Sequence, residues 1–268
     1  MADAVEALRQ ALLRLGLREL PPSELAEPAL VLAPHFDDET LGCGGTIIKK
    51  RQAGAKVTVV FMTDGSASHA RFLDPGELAS LRRTEALAAT ETLGVPPDDV
   101  VFLGHEEKRL TEQAEDAKAQ VRAQLASLAP RQVFAPCPWD LWPDHLATRA
   151  IVESALAEAP TGTALYGYAI WFWDRWPWTT PTVPEHRKRS RALLRAAAGH
   201  WRLGRWFRDG LYVGDVLPAK RAALERHRSQ VTRLIDDPEW PVLSEVSGGR
   251  LLPLLLGEYE IFERARLP

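Results

Sequence analysis

Ala29-Leu30-Val31-Leu32-Ala33-Pro34-His35-Phe36-Asp37-Asp38-Glu39-Thr40-Leu41-Gly42-Cys43-Gly44-Gly45 sets one histidine and two adjacent aspartates directly behind a short apolar run. Residues 29–33 suit a strand buried on both faces, as in a parallel sheet, and Pro34 ends its ladder because it has no N–H to donate. His35, Asp37 and Asp38 therefore fall in a loop at the carboxyl end of a strand. Ligands of open α/β sheets bind in that crevice.

Working outward, strand and helix patterns alternate. The glycine-rich start of the next segment permits close backbone approach, and a helix is expected over residues 40–53. Strands are expected at 56–62, 100–103 and 132–135, with helices at 77–93, 115–128 and about 145–156. Four alternations are the pattern of a parallel sheet with right-handed crossovers. An amphipathic helix is read near the N-terminus, over 5–15 within an N-terminal segment 1–20. Beyond residue 159 the chain changes character. Residues 164–173 are aromatic strand material, 185–208 are basic and carry Trp201 and Trp206, and 220–234 read as a helix. Without a repeat or a clean linker, residues 1–268 are read as one domain with an elaboration over about 160–268.

The 268 residues are 46% hydrophobic and 26% charged, enough for a sizeable core, and the net charge of −3 argues against a dedicated nucleic-acid binder. Two cysteines, Cys43 and Cys137, give no disulfide framework, which fits a reducing compartment. No apolar run is long enough to span a membrane, and residues 1–20 lack the apolar core of a signal peptide, so a cytoplasmic protein is expected. A homo-oligomer is compatible with the sequence.

A catalytic divalent metal takes imidazole nitrogen and carboxylate oxygen and keeps a position open for water. His35 and Asp38 supply two ligands, leaving Asp37 free as general base. Asp140-Leu141-Trp142-Pro143-Asp144-His145 brings acid and histidine to the end of the fourth strand, and His145 is the natural third ligand. Either loop alone also fits a helix N-cap, but capping requires neither histidine.

The 35–45 stretch resembles the HPDDExLGxGG signature of the LmbE-like, or PIG-L, metal-dependent deacetylases, with Phe36 where proline is usual. Arg82-Arg83-Thr84-Glu85 followed by Leu93-Gly94-Val95, and Trp142-Pro143-Asp144-His145, are similar to the family's RxxE helix and its HPDH motif. Lys220, Ala223-Leu224, His227 and Ser229-Gln230 are similar to its late helix. The resemblance implies a Rossmann-like fold, a three-layer α/β sandwich with a mainly parallel sheet, and removal of an N-acyl group, usually N-acetyl, from an amino sugar or related small-molecule conjugate. It implies zinc, with Fe(II) also compatible, on His35, Asp38 and His145, with Asp37 as base. It makes Arg82 a substrate-side or loop-anchoring residue with Glu85 as a partner. The alternative for that pair is a solvated helix salt bridge.

Trp142 stands where the family places a histidine, and an indole donates one hydrogen bond without carrying a proton. Trp142 is read as a substrate-side residue, Asp144 as one that orients a ligand histidine from behind, and His69 and His105 as loop histidines able to reach in. Trp142 also motivates a competing reading, a catalytically impaired sugar-binding protein on the same scaffold. A nucleotide- or methyl-donor-binding turn at Gly42-Cys43-Gly44-Gly45, with Asp64 as the ribose acid, is a third. The basic stretch 186–208 is either a solvated helix or a rim that attracts an anionic substrate.

Overall fold

The computed structural model describes residues 16–158, 162–175, 201 and 203–265. The helix expected at 5–15 and most of the basic stretch, through residue 200, lie outside the described residues. The elements in chain order are β1 (Arg18–Glu19), α1 (Pro22–Leu25), β2 (Ala29–Ala33), α2 (Asp38–Gln52), β3 (Val57–Thr63), α3 (Pro75–Thr92), β4 (Val100–His105), α4 (Ala114–Leu128) and β5 (Gln132–Pro136). There follow α5 (Pro143–Ala157), β6 (Ala164–Tyr168), α6 (Phe172–Arg175), β7 (Phe207–Tyr212), α7 (Leu217–Leu224), α8 (Arg228–Val231), a 3-10 turn at Leu243–Gly249, α9 (Leu251–Leu255) and β8 (Tyr259–Arg264).

The strands form one sheet in the order β1-β7-β8-β6-β5-β2-β3-β4, in which β8 alone runs against its neighbours. All five residues of β2 are buried because the strand is covered on both faces. Val31 and Ala33 enter one core with Ile47 of α2 and Ala86 of α3, while Leu30 and Leu32 enter the other with Val121 of α4 and Ile151 of α5. Period-two alternation thus feeds two apolar layers from one strand, as expected of a mainly parallel three-layer α/β sandwich.

Helix starts carry local signals. Asp74 caps α3 by accepting from Gly76 N at 2.9 Å and Glu77 N at 3.2 Å, and Pro75 opens the helix. The Gly42 to Gly45 run lies inside α2, not in a turn. A Cβ on Gly42 would stand 2.5 Å from the Tyr168 ring and one on Gly45 2.6 Å from Val213, so these glycines let α2 approach the sheet and its C-terminal cover. That placement overturns the nucleotide- and methyl-donor-turn reading.

Two elements depart most from expectation. The aromatic run is a strand only to Tyr168, and the helix expected over 220–234 breaks into α7 and α8 at His227, whose ψ of 57° is non-helical. Neither Gly nor Pro marks that break. A buried hydrogen bond from His227, described below, occupies the interruption.

The strand order reverses between β2 and β5: β3 and β4 lie on one side, β6 on the other. The crevice beyond the carboxyl ends of β2 and β5 is the switch point at which such sheets bind ligands. Both motif loops open there.

Candidate metal-dependent active site

His35 follows β2, Asp38 opens α2, and His145 sits in the first turn of α5. One donor atom from each lies within 4.8 Å of the others, the only His/Cys/Asp/Glu group of that kind among the described residues. His35 Nδ1 is 3.3 Å and His145 Nε2 3.2 Å from the same Asp38 Oδ2. The helix-cap reading fails at both loops. Asp37 makes no side-chain cap to α2, and the N-cap of α5 is Trp142, not Asp144.

Hydrogen bonds behind the cluster fix which atoms face into it. His145 Nδ1–H donates to Asp140 Oδ2 at 2.9 Å, and Asp140 also accepts from the backbone N–H of Ile170 and Phe172. The Nε2 lone pair is thereby turned toward Asp38, buried and without a hydrogen-bond partner. Two acceptors 3.2 Å apart require a cation between them. A proton meets that need, and so does a divalent metal, to which the third donor on His35 is directed; the set of two imidazoles and one carboxylate fits zinc or ferrous iron.

The charges respond accordingly. Burial opposes ionisation of His35, but Asp144 and Asp38 push it up to about 10. Burial likewise opposes charge on His145, which Asp38 and Asp140 raise to about 9. Burial works against the Asp38 carboxylate, yet the two imidazoles hold it well below the usual range. Burial, and next the neighbouring Asp38 charge, drive Asp37 the other way, well above an ordinary aspartate. Two adjacent carboxylates are split in basicity by their surroundings, as an acid–base site requires.

Asp37 is also strained, with φ of 110°, and is 6% exposed. Such a backbone costs about 1–3 kcal/mol in a non-glycine residue and persists only where its surroundings impose it. Asp144 Oδ2 lies 3.1 Å from His35 Nε2 and accepts from Lys108 N at 2.7 Å. Lys108, with φ of 72°, is a second left-handed non-glycine residue at this site.

The remaining expected residues are spread more widely. Trp142 is 46% exposed and packs on Trp171, with ring centroids 4.9 Å apart. Arg82 is buried, donating to Gly65 O at 2.9 Å and to His69 Nδ1 at 2.7 Å, with Glu107 3.8 Å away. Glu85 does not pair with it, and the solvated salt bridge does not exist. Both residues are buried, and Glu85 instead accepts from Ser229 N and Oγ at 2.8 and 2.6 Å. His69 is held between Arg82 and the carbonyl of Pro241 and packs at a tilt against Trp240, and burial lowers its pKa. His105 is paired with Gln120 at 2.8 Å. Neither histidine joins the metal-donor group. Asp140, Glu39 and His227 carry roles beyond those expected from the sequence; for Asp140 the legible signal is an acid five residues before His145, and for His227 its place in the late-helix motif.

Residues 30–156 match the family model described as PIG-L: GlcNAc-PI de-N-acetylase. A probable N-acetyl-alpha-D-glucosaminyl L-malate deacetylase 2 of Bacillus anthracis is 30% identical over 53% of this chain and 65% of its own length. A 1D-myo-inositol 2-acetamido-2-deoxy-alpha-D-glucopyranoside deacetylase of Nocardia farcinica is 27% identical over 88% of this chain and 90% of its own. Among solved structures, the N,N'-diacetylchitobiose deacetylase of Pyrococcus horikoshii superposes with a TM-score of 0.60 at 22% identity, covering 99% of this chain and 92% of that one. The chain spans less than two thirds of the Bacillus protein's length. The motif loops, the sheet order and the matched residues agree: residues 30–156 form a PIG-L, or LmbE-like, domain.

Proposed function

We propose that the protein is a metal-dependent hydrolase that removes an N-acyl group, N-acetyl by preference, from an amino sugar or a related small-molecule conjugate. The observation that carries this reading is the buried, unpartnered Nε2 of His145 facing Asp38 and His35. In this reading His35, Asp38 and His145 hold zinc, or ferrous iron, and Asp144 orients His35 from behind. A bound divalent cation supplies Lewis acidity, polarising the acyl carbonyl and acidifying water. Asp37 takes the proton of the attacking water on a carboxylate oxygen as the C–O bond forms. It then delivers that proton to the amide nitrogen as the C–N bond breaks, releasing an amine and a carboxylate. The raised basicity of Asp37, from burial and the Asp38 charge, suits that exchange.

Trp142 borders the substrate side and offers only an indole N–H, so proton transfer falls to Asp37 alone. Arg82 acts on the substrate side through the Gly65–His69 loop that it anchors and through its field at Asp37. Residues 1–268 are taken as one domain, supported by β7 and β8 completing the same sheet as β2 to β6. No helix among the described residues is long and apolar enough to cross a membrane, and a cytoplasmic setting is supported by two buried free cysteines.

The test is mass spectrometry of products after incubation of zinc- or iron-loaded protein with a panel of N-acetyl amino sugars. Acetate and free amine are expected from the native chain, while Asp37→Asn binds metal normally and turns over at background. Metal uptake with no product from any substrate returns the protein to the sugar-binding reading that Trp142 motivates.

A further inference from the structure

Both polar groups of a single peptide bond, the one joining Phe36 to Asp37, are gripped by side chains. Gln230 Nε2 donates to Phe36 O at 2.5 Å, and Asp37 N donates to Glu39 Oε2 at 3.0 Å. The other oxygen of Glu39 accepts from His227 Nε2–H at 2.9 Å and from Thr40 Oγ1 at 2.5 Å. Glu39 and His227 are completely buried, and neither belongs to the metal-donor group. His227 comes from the break between α7 and α8 and Gln230 from α8 itself, nearly two hundred residues from the loop they hold.

The grip falls where strain is concentrated. The angle φ of Asp37 is the rotation about its N–Cα bond, which leads out of that same peptide, and its value of 110° lies in the left-handed region. Released, an aspartate relaxes to negative φ and its carboxylate swings away. Asp38 is tied separately, accepting from His35 N at 2.9 Å, so the metal donors do not depend on the grip.

We infer that His227, Gln230 and Glu39 are positioning residues that clamp the Phe36–Asp37 peptide and so aim the Asp37 carboxylate. This rests on the proposed deacetylase reading, in which Asp37 is the base. A purely structural role would lower stability and metal binding together. The clamp instead acts on turnover, because a base displaced by about 1 Å loses on the order of 100-fold in rate while substrate and metal still bind.

The experiment compares His227→Gln, His227→Asn, His227→Leu and Gln230→Leu in the metal-loaded, full-length protein. The Gln side chain places an amide N–H where Nε2 stood, and the shorter Asn does not. His227→Leu and Gln230→Leu are expected to lower kcat on the order of 10- to 100-fold, leaving KM and metal affinity unchanged, and His227→Gln is expected to restore most of the loss. Independently of activity, the Asp37 amide proton, bonded to a carboxylate, is expected downfield and slow to exchange in the native chain, and to lose both properties in His227→Leu. If His227→Leu does not fold, the Gln and Asn variants decide. Equal behaviour of those two, an Asp37 amide unmoved by His227→Leu, or parallel losses of metal affinity and kcat would each overturn the inference. Inactivity of the native chain would sink the deacetylase reading while leaving the amide measurement to judge the clamp.

Discussion

Asp140→Asn isolates the device that turns His145 toward the metal. Asp140 is fully buried and receives three donors: His145 Nδ1–H at 2.9 Å and Ile170 N at 3.2 Å on Oδ2, and Phe172 N at 2.6 Å on Oδ1. An amide has one accepting oxygen. If that oxygen takes the Oδ2 place, the new NH2 faces the Phe172 N–H; if the oxygen takes the Oδ1 place, the NH2 faces Ile170 N–H and His145. His145 can then accept on Nδ1 only as the tautomer that keeps its proton on Nε2, the nitrogen the metal requires. Each orientation leaves at least one buried donor unpaired, about 1–3 kcal/mol, and forfeits a charge-assisted bond of about 1.5–3 kcal/mol. A loss of about 2.5–6 kcal/mol in the metal-free protein is expected, with a metal affinity about 10- to 100-fold weaker. Thermal or urea unfolding of metal-free protein measures the first and chelator competition the second. A variant that binds metal as tightly as the native chain would show that Asp140 does not set the tautomer.

Metal binding should release protons. The folded pKa of His145 is about 9 and that of His35 about 10, both above the ordinary imidazole value near 6.5. Stability from these groups is therefore fully present in metal-free protein below about pH 6.5 and lost as pH rises through their folded values. The metal takes the same nitrogens, so calorimetric heats of metal binding near neutral pH should depend on the ionisation enthalpy of the buffer; heats indifferent to buffer would contradict the assigned protonation. Gly42→Ala places a methyl 2.5 Å from the buried ring of Tyr168, whose hydroxyl donates to Leu32 O at 2.8 Å, and should cost about 1–3 kcal/mol in thermal unfolding. Gly204→Ala, with nothing within 4 Å of the added atom, serves as the control, and equal effects of the two would dismiss the packing account of Gly42.

How far the sequence could be read followed from the range of the interactions involved. The strand at 29–33 announced itself because burial on both faces demands an unbroken apolar run, and α3 because Asp74, Pro75 and Gly94 mark its ends. His35, Asp38 and His145 were legible because histidine beside carboxylate in two strand-end loops exceeds what helix capping requires. The Arg82–Glu85 pairing failed for the opposite reason. Spacing along a helix suggests a solvated pair, and only packing shows that each side chain faces a different buried partner. The break at His227 left no Gly or Pro as a sign, because a hydrogen bond to Glu39 occupies it.

The sequence alone determined the alternating α/β layers, the two loops that carry the donors, and the residue types suited to a divalent metal, since these depend on periodicity and on chemistry contained in short segments. Tertiary structure alone decided that β2 and β5 are neighbours, which nitrogen of His145 faces inward, and that His227 and Gln230 reach the peptide before Asp37. Those outcomes depend on contacts between residues far apart in the chain, and no local pattern encodes the orientation of one side chain against another across a folded core.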